Sequence, residues 1–308
     1  MIRKAVITGG TGMLGLALIR LLIKNKIEIA VICRPGSKRL ERIPKNALIK
    51  IVECEINNLG SLSDVLDSGY DAFFHFAWDG TYGENRNNMF LQNKNIKAAL
   101  DSVNLAASLG CKVWLGAGSQ AEYGRVEGKL SPLTPAYPEN GYGMAKLCAG
   151  QMTRIMCQKN GIRHIWSRIL STFGPYDGNH TMVMSGIRQM LSGESPKYTQ
   201  GEQMWDYLYC DDAARAFYLA AEKGRDGAVY CIGSGVVKPL KEYIITIRDI
   251  VKPYCHIEFG GIPYYENQVM YLCADITNLT EDTGFIPEVS FEDGIKRTLD
   301  WYRKDFAE

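Results

Sequence analysis

The amino-acid sequence predicts an α/β protein built on a doubly wound parallel sheet, with a smaller α/β lobe towards its C-terminal end. Three observations predict it. Short β-branched runs alternate with helical patterns through the first half, a glycine-rich turn joins the first run to the first helix, and the alternation loosens after Gly174-Pro175. Strands that alternate with helices lie parallel, because each return to the sheet needs a long crossover, and the crossovers cover both faces.

The strands read in order as Ala5 to Thr8, Ile27 to Cys33, Leu48 to Glu53, Ala72 to Phe76, Lys112 to Leu115 and Arg163 to Leu170. Helical periodicity fills the intervals at Leu14 to Lys24, Leu62 to Leu66, Asn93 to Leu109 and Tyr142 to Lys159. Pro175, Pro196, Pro239, Pro253, Pro263 and Pro287 then punctuate shorter elements. Residues 1–174 are therefore expected to form the sheet domain, and 175–308 a smaller, interleaved lobe. Residues 203–232 are expected to return to the sheet, through a strand and a helix between Met204 and Glu222.

Composition narrows the class. A chain of 308 residues, 46% hydrophobic and 22% charged, can bury a substantial core. Its 35 basic and 34 acidic residues leave a net charge of +1, which draws it neither to nucleic acid nor to an anionic membrane. No apolar run approaches the ~18 residues of a membrane span. The first strand follows Met1 almost at once, without a signal-peptide pattern, so a cytoplasmic location is expected. Nine widely spaced cysteines with no C-x-x-C pair predict buried reduced thiols, not a disulfide framework or a metal site.

The segment Thr8-Gly9-Gly10-Thr11-Gly12-Met13-Leu14-Gly15 follows the first strand and opens the first helix. Glycines at 9, 12 and 15 permit a tight turn, a close backbone approach to a pyrophosphate, and close helix–strand contact. Beyond them the helix N-terminus offers free N–H groups and a positive dipole to phosphate. An NAD site usually ends its second strand with a carboxylate for the ribose 2′-hydroxyl. Here that strand runs into Arg34-Pro35-Gly36-Ser37-Lys38-Arg39. Arg34, with Ser37, Lys38 or Arg39, suits a 2′-phosphate, so NADP is expected ahead of NAD.

Tyr142-Gly143-Met144-Ala145-Lys146 opens a helix, which puts Tyr142 and Lys146 on one face, one turn apart. A neighbouring ammonium favours the phenolate and is expected to pull the tyrosine pKa down from about 10. Such a tyrosine exchanges a proton with a substrate hydroxyl or carbonyl near neutral pH. Ser119 ends the run Val113-Trp114-Leu115-Gly116-Ala117-Gly118, where its hydroxyl can bond the same substrate oxygen.

In this order, these motifs resemble the extended short-chain dehydrogenases/reductases that act on nucleotide sugars as epimerases, dehydratases or reductases. The likeness spans nearly the whole chain. Its fold is a Rossmann domain with a small C-terminal substrate lobe. Glu55-Ile56 stands where the family meets adenine, and His75-Phe76-Ala77 resembles the strand end beside the cofactor. Asn95-Ile96, Ser119 to Gly124, Arg168 to Pro175, Asp206 to Ala216, and Asp275 through Gly284, Pro287 and Trp301 fit further landmarks. Three departures bear on function. Ala121 replaces the glutamate that assists water loss in the dehydratases, which argues against that chemistry. Trp205 and Tyr265 stand where the family often has phosphate-clamping arginines, and Ser171 replaces a usual asparagine.

Substrate contacts are accordingly expected from Trp78, Ser171, Trp205 and Tyr265, with Arg188 or Lys197 as stand-ins for the missing arginines. The resemblance implies an NADPH-dependent 4-ketoreductase of an activated deoxyhexose. In that reading Tyr142 is proton donor, Lys146 holds the ribose and Ser119 orients the carbonyl. An NAD-dependent nucleotide-sugar 4-epimerase is the alternative, and a non-catalytic NADP-sensing regulator a remote one. A homodimer is compatible with all three.

Overall fold

The computed structural model describes residues 1–305. Its first half runs β1 (Lys4–Thr8), α1 (Met13–Lys24), β2 (Glu28–Cys33), β3 (Ile49–Glu53), β4 (Ala72–His75), α2 (Met89–Ser108), β5 (Val113–Ser119), α3 (Gly141–Lys159) and β6 (Arg163–Ile169). Then come β7 (Ser171–Phe173), α4 (Met182–Leu191), β8 (Lys197–Tyr198), β9 (Met204–Trp205), β10 (Tyr207–Tyr209), α5 (Cys210–Lys223) and β11 (Ala228–Ile232). The chain closes with β12 (Lys238–Pro239), α6 (Leu240–Val251), β13 (Glu258–Phe259), β14 (Tyr271–Leu272), α7 (Thr277–Thr283) and α8 (Phe291–Asp305).

Seven parallel strands form the main sheet in the order β11-β6-β5-β4-β1-β2-β3. Because neighbouring side chains on a strand point to opposite faces, the sheet builds two cores. Ile7, Val31, Phe74, Leu115 and Ile165 pack with α1 and α5 on one face. Val6, Ile32, Phe73, Trp114 and Trp166 pack with α2 and α3 on the other. The winding reverses between β1 and β4, and the crevice beyond their carboxyl ends is where such sheets bind ligands.

Four local readings differ from the sequence expectation. Leu62 to Leu66 is not an α-helix: a 3₁₀ segment covers Ile56–Leu62 and then turns. So short a run cannot repay helix nucleation, and it buries Leu59, Leu62 and Leu66 without it. Helix α2 starts at Met89, earlier than Asn93, because the Asn88 side chain accepts the Leu91 N–H at 3.1 Å and caps it. Strand β5 continues to Ser119, its glycines leaving room for the Trp114 and Trp166 rings. The strand expected at Met204 stays out of the main sheet. Instead β9 pairs with β12 and β14, and β10 pairs with β7, while α5 packs on α1 and β11 joins the sheet edge beside β6.

All nine cysteines are free, seven of them buried. Among the described residues no helix is long and apolar enough to cross a membrane.

Candidate active site

The glycine loop sits at the crevice. Gly9 has φ +74° and lies against the end of β4, where a Cβ would come 2.7 Å from the Ala77 amide nitrogen. A Cβ on Gly15 would strike the Gly9 carbonyl, so α1 can approach the loop only without a side chain there. Gly12 is the N-cap of α1 and offers no side chain to its first-turn N–H groups, and no acidic residue stands in that turn. Those N–H groups therefore suit a pyrophosphate.

A cleft of about 230 Å³ runs from this loop along the carboxyl end of the sheet. Gly9, Thr11, Gly12, Phe76 and Ala77 line one part of it, and Arg34, Ser37, Glu55 and Ile56 line another. Lys38 does not line it, whereas Arg39 does. The Ser37 hydroxyl accepts the Arg39 N–H and starts a 3₁₀ turn over Lys38–Arg42, in which Lys38 remains exposed. Met13 lines a second, adjoining cleft of about 890 Å³ with Tyr82, Tyr176 and His180, and Leu14 packs against the apolar core.

Helix α3 carries the catalytic candidates. Asn140 caps it by accepting the Gly143 N–H at 2.9 Å, and Tyr142, Lys146, Ala149, Thr153 and Cys157 form its buried stripe. Ser119, Tyr142 and Lys146 are at most 9% exposed, and the Ser119 hydroxyl accepts the Ala121 N–H at 3.2 Å. The Lys146 ammonium donates to the Ala117 carbonyl at 2.6 Å and lies 3.6 Å from the centre of the Trp78 ring. Trp78, which lines the first cleft, is fixed by its indole N–H to Gln92 Oε1 at 2.9 Å, and its ring meets Tyr142 edge-on.

The electrostatics differ from the expected tyrosine–lysine pair. Burial raises the Tyr142 phenol, opposed by the Ser119 hydrogen bond and by Arg86, while Glu122 adds to the rise. Lys146 stands one turn further along α3. Its ammonium points at Ala117 and Trp78, 5.7 Å from the Tyr142 ring centre, and burial pushes its own pKa down to about 7 against the pull of Glu122. Spacing on a helix fixes which side chains share a face but not the direction in which a long side chain's charge points.

Behind Ser119, the fully buried Glu122 accepts the Ser119 N–H at 2.8 Å and the Trp166 indole N–H at 3.0 Å. It also pairs with Arg168 Nε at 2.7 Å. The acidic residue beside Ala121 thus serves the scaffold.

The four substrate candidates do not gather in one place. Trp205 and Ser171 meet through an indole N–H to hydroxyl bond of 2.7 Å, whereas Tyr265 is 74% exposed. Trp78 stands at the catalytic cluster and Tyr82 stacks on His180 at 4.4 Å across the second cleft. Arg188 lines a separate surface hollow, and Lys197 pairs with Glu258 at the surface, so neither replaces the missing arginines at either cleft. Sequence reasoning missed Arg86 and Gln92. No spacing marks them, since a 3₁₀ turn over Gly83–Asn87 and the early start of α2 bring them in.

Comparison with known proteins identifies the family and the fold. The model of the NAD dependent epimerase/dehydratase family matches residues 5–233. A dTDP-glucose 4,6-dehydratase of Neisseria meningitidis is 23% identical over 340 residues, covering 97% of this chain and 93% of that protein. The solved UDP-N-acetylglucosamine 4-epimerase of Methanobrevibacter ruminantium, in complex with UDP-N-acetylmuramic acid, shares the fold. Its TM-score is 0.90 at 22% identity, with 99% of each chain covered. The RMD structure from Pseudomonas aeruginosa, complexed with NADPH, has a TM-score of 0.81 at 20% identity over 97% of this chain and 99% of its own. With dehydratases among the relatives, the exclusion of dehydratase chemistry drawn from Ala121 finds no support there.

Proposed function

Because the chain belongs to the NAD dependent epimerase/dehydratase family, we propose that it is an NADPH-dependent 4-ketoreductase of a nucleotide-activated deoxyhexose. The observation that carries this reading is the far end of the first cleft, where Arg34, Ser37 and Arg39 stand together and β2 ends without a carboxylate. Guanidinium groups and a hydroxyl recognise a 2′-phosphate, whereas a 2′-hydroxyl calls for an acceptor.

When bound, the reduced nicotinamide supplies the hydride. The chain's own groups do the rest. Tyr142 gives its phenolic proton to the oxygen of the forming alkoxide, and the Ser119 hydroxyl, buried at the end of β5, holds the same oxygen in line. Lys146 anchors the ribose through an ammonium whose position Ala117 and Trp78 set. The buried surroundings of all three exclude water from the transfer.

The test is hydride accounting. A 4-keto-6-deoxy nucleotide sugar should oxidise one NADPH per product and receive deuterium at C4 from labelled cofactor. Interconversion of two hydroxy sugars with no net change in nicotinamide would make the protein a 4-epimerase. Loss of one water from a nucleotide hexose would make it a dehydratase, as the Neisseria meningitidis relative is named.

A further inference from the structure

We propose that Gln92 is a positioning residue of the catalytic cluster, which holds the Trp78 indole against the Lys146 ammonium. The inference rests on the reading of Lys146 as the ribose anchor and adds how that ammonium is kept in place and charged.

The Gln92 amide is fully committed. It is buried, and its carbonyl oxygen accepts the Trp78 indole N–H at 2.9 Å and an Asn95 amide N–H at 3.4 Å. Its nitrogen donates to the Gly80 carbonyl at 3.0 Å and to the Asn85 carbonyl at 2.9 Å. Two acceptor and two donor positions are all that a glutamine amide has, so this one can neither flip nor turn without losing a bond. The loop from Trp78 to Asn85 is thereby wrapped round a single side chain. Gly80 makes the wrap possible: it has φ +71°, and a Cβ there would come 3.0 Å from Gln92 Nε2. One turn further along α2, Asn95 accepts the Asp79 N–H at 3.0 Å and donates to the Asp79 carbonyl at 2.9 Å.

What the wrap holds in place is a ring. Lys146 Nζ stands 3.6 Å from the centre of the Trp78 ring, and a desolvated ammonium gains most from such a face. Its other fixed contact is the Ala117 carbonyl at 2.6 Å. Among the described residues no carboxylate is bonded to it, so the ring and the carbonyl replace the water that burial removes. Other titratable or charged groups face this region from three elements. Glu122, from the turn after β5, favours the ammonium, and burial keeps His75, at the end of β4, neutral. Tyr142 shares α3 and carries Arg86 over its ring. None of them is bonded to Gln92, so a change at Gln92 reaches Lys146 through the indole.

The test reads Lys146 directly, without cofactor or sugar. The full chain is labelled with ¹³Cε-lysine, and the Lys146 resonance is identified by its loss in Lys146→Arg. A methylene beside an ammonium 3.6 Å above an indole is shielded by the ring, so its protons should resonate upfield of those of other lysines. Lys241, 4.9 Å from the centre of the Phe259 ring, should be shifted less. Gln92→Met keeps the stem and removes all four bonds. It should return the Lys146 protons towards the ordinary position and lower the titration midpoint by about 1 pH unit, because the ring favours the charged form. Trp78→Leu leaves Gln92 bonded to Gly80 and Asn85 and should have the same effect. The double variant should go no further than Trp78→Leu.

Wild-type Lys146 protons at the ordinary position would overturn the inference. So would an upfield position or a midpoint that survives unchanged in Gln92→Met, or a double variant whose midpoint falls below that of Trp78→Leu. A Trp78→Leu protein that keeps both wild-type values would overturn it even if Gln92→Met fails to fold. If the shifts appear as expected and no nucleotide sugar is reduced, Gln92 keeps its role and the proposed ketoreductase fails instead.

Discussion

Tyr142 is poised between opposing effects. Burial favours the neutral phenol, which can donate a proton, while Arg86 and Ser119 favour the phenolate that remains after donation. Removing the hydroxyl alone should separate chemistry from binding. Tyr142→Phe should retain cofactor-induced thermal stabilisation and lose turnover by about 10²-fold or more, the scale of a general acid. Wild-type-like turnover in steady-state assays would take the role away from Tyr142. At the other end of the cleft, Arg34 is exposed and lines the wall. Arg34→Ala should weaken NADPH by about tenfold or more and leave NADH nearly unchanged, the scale of a charge-assisted hydrogen bond. Equal losses for the two cofactors by calorimetry would count against a 2′-phosphate contact.

At the scale of elements, one buried ion pair links the turn after β5 to β6. Glu122 collects N–H groups from Ser119 and Trp166 and the Arg168 guanidinium, so the backbone at Ser119 is fixed from behind. Burial raises the Glu122 pKa, and Arg168 is the chief group that opposes the rise. Arg168→Met should leave that carboxylate buried without its partner and cost about 3–5 kcal/mol in urea unfolding, the scale for breaking a buried pair. The double variant with Glu122→Leu should recover much of the loss, because no charge then remains inside. A double variant that is less stable than Arg168→Met would show that the pair itself, not its disruption, dominates. Asp206 does comparable work in the second half. It accepts the Ser234 N–H and hydroxyl and the N–H groups of Gly235 and Ala274, which joins the start of β10 to two later segments.

Across the whole molecule, two buried histidines contribute to the response to acid. His75 and His164 stack on opposite sides of the Trp114 contact network, and burial lowers their pKa values from 6.5 to about 3 and about 4. Between 6.5 and those values the unfolded chain binds protons that the folded protein refuses. The stability these two histidines contribute is therefore complete above 6.5 and is lost as the pH drops towards 4 and then 3. His164→Gln keeps a polar partner for Thr153 but cannot titrate. Its unfolding free energy, measured in urea at stepped pH, should fall less steeply through this window than that of the wild type. Parallel slopes would mean that His164 already titrates freely in the folded state.

The sequence by itself determined the parallel sheet, the glycine loop, the buried Tyr142–Lys146 stripe and the basic end of the cleft. Each of these follows from local periodicity, from glycine sterics or from residues adjacent along one strand or helix. Only the tertiary structure decided which charge faces which. Arg86 reaches Tyr142 from a turn more than fifty positions away in the chain, Lys146 turns towards Ala117 and Trp78, and Glu122 is taken by Arg168. Trp205 meets Ser171 through pairings of two- and three-residue strands that carry no detectable period. The physical reason is the range of the interactions. Backbone geometry is set by near neighbours, whereas the ionisation of a buried group answers to every charge within several ångströms, wherever it lies in the sequence.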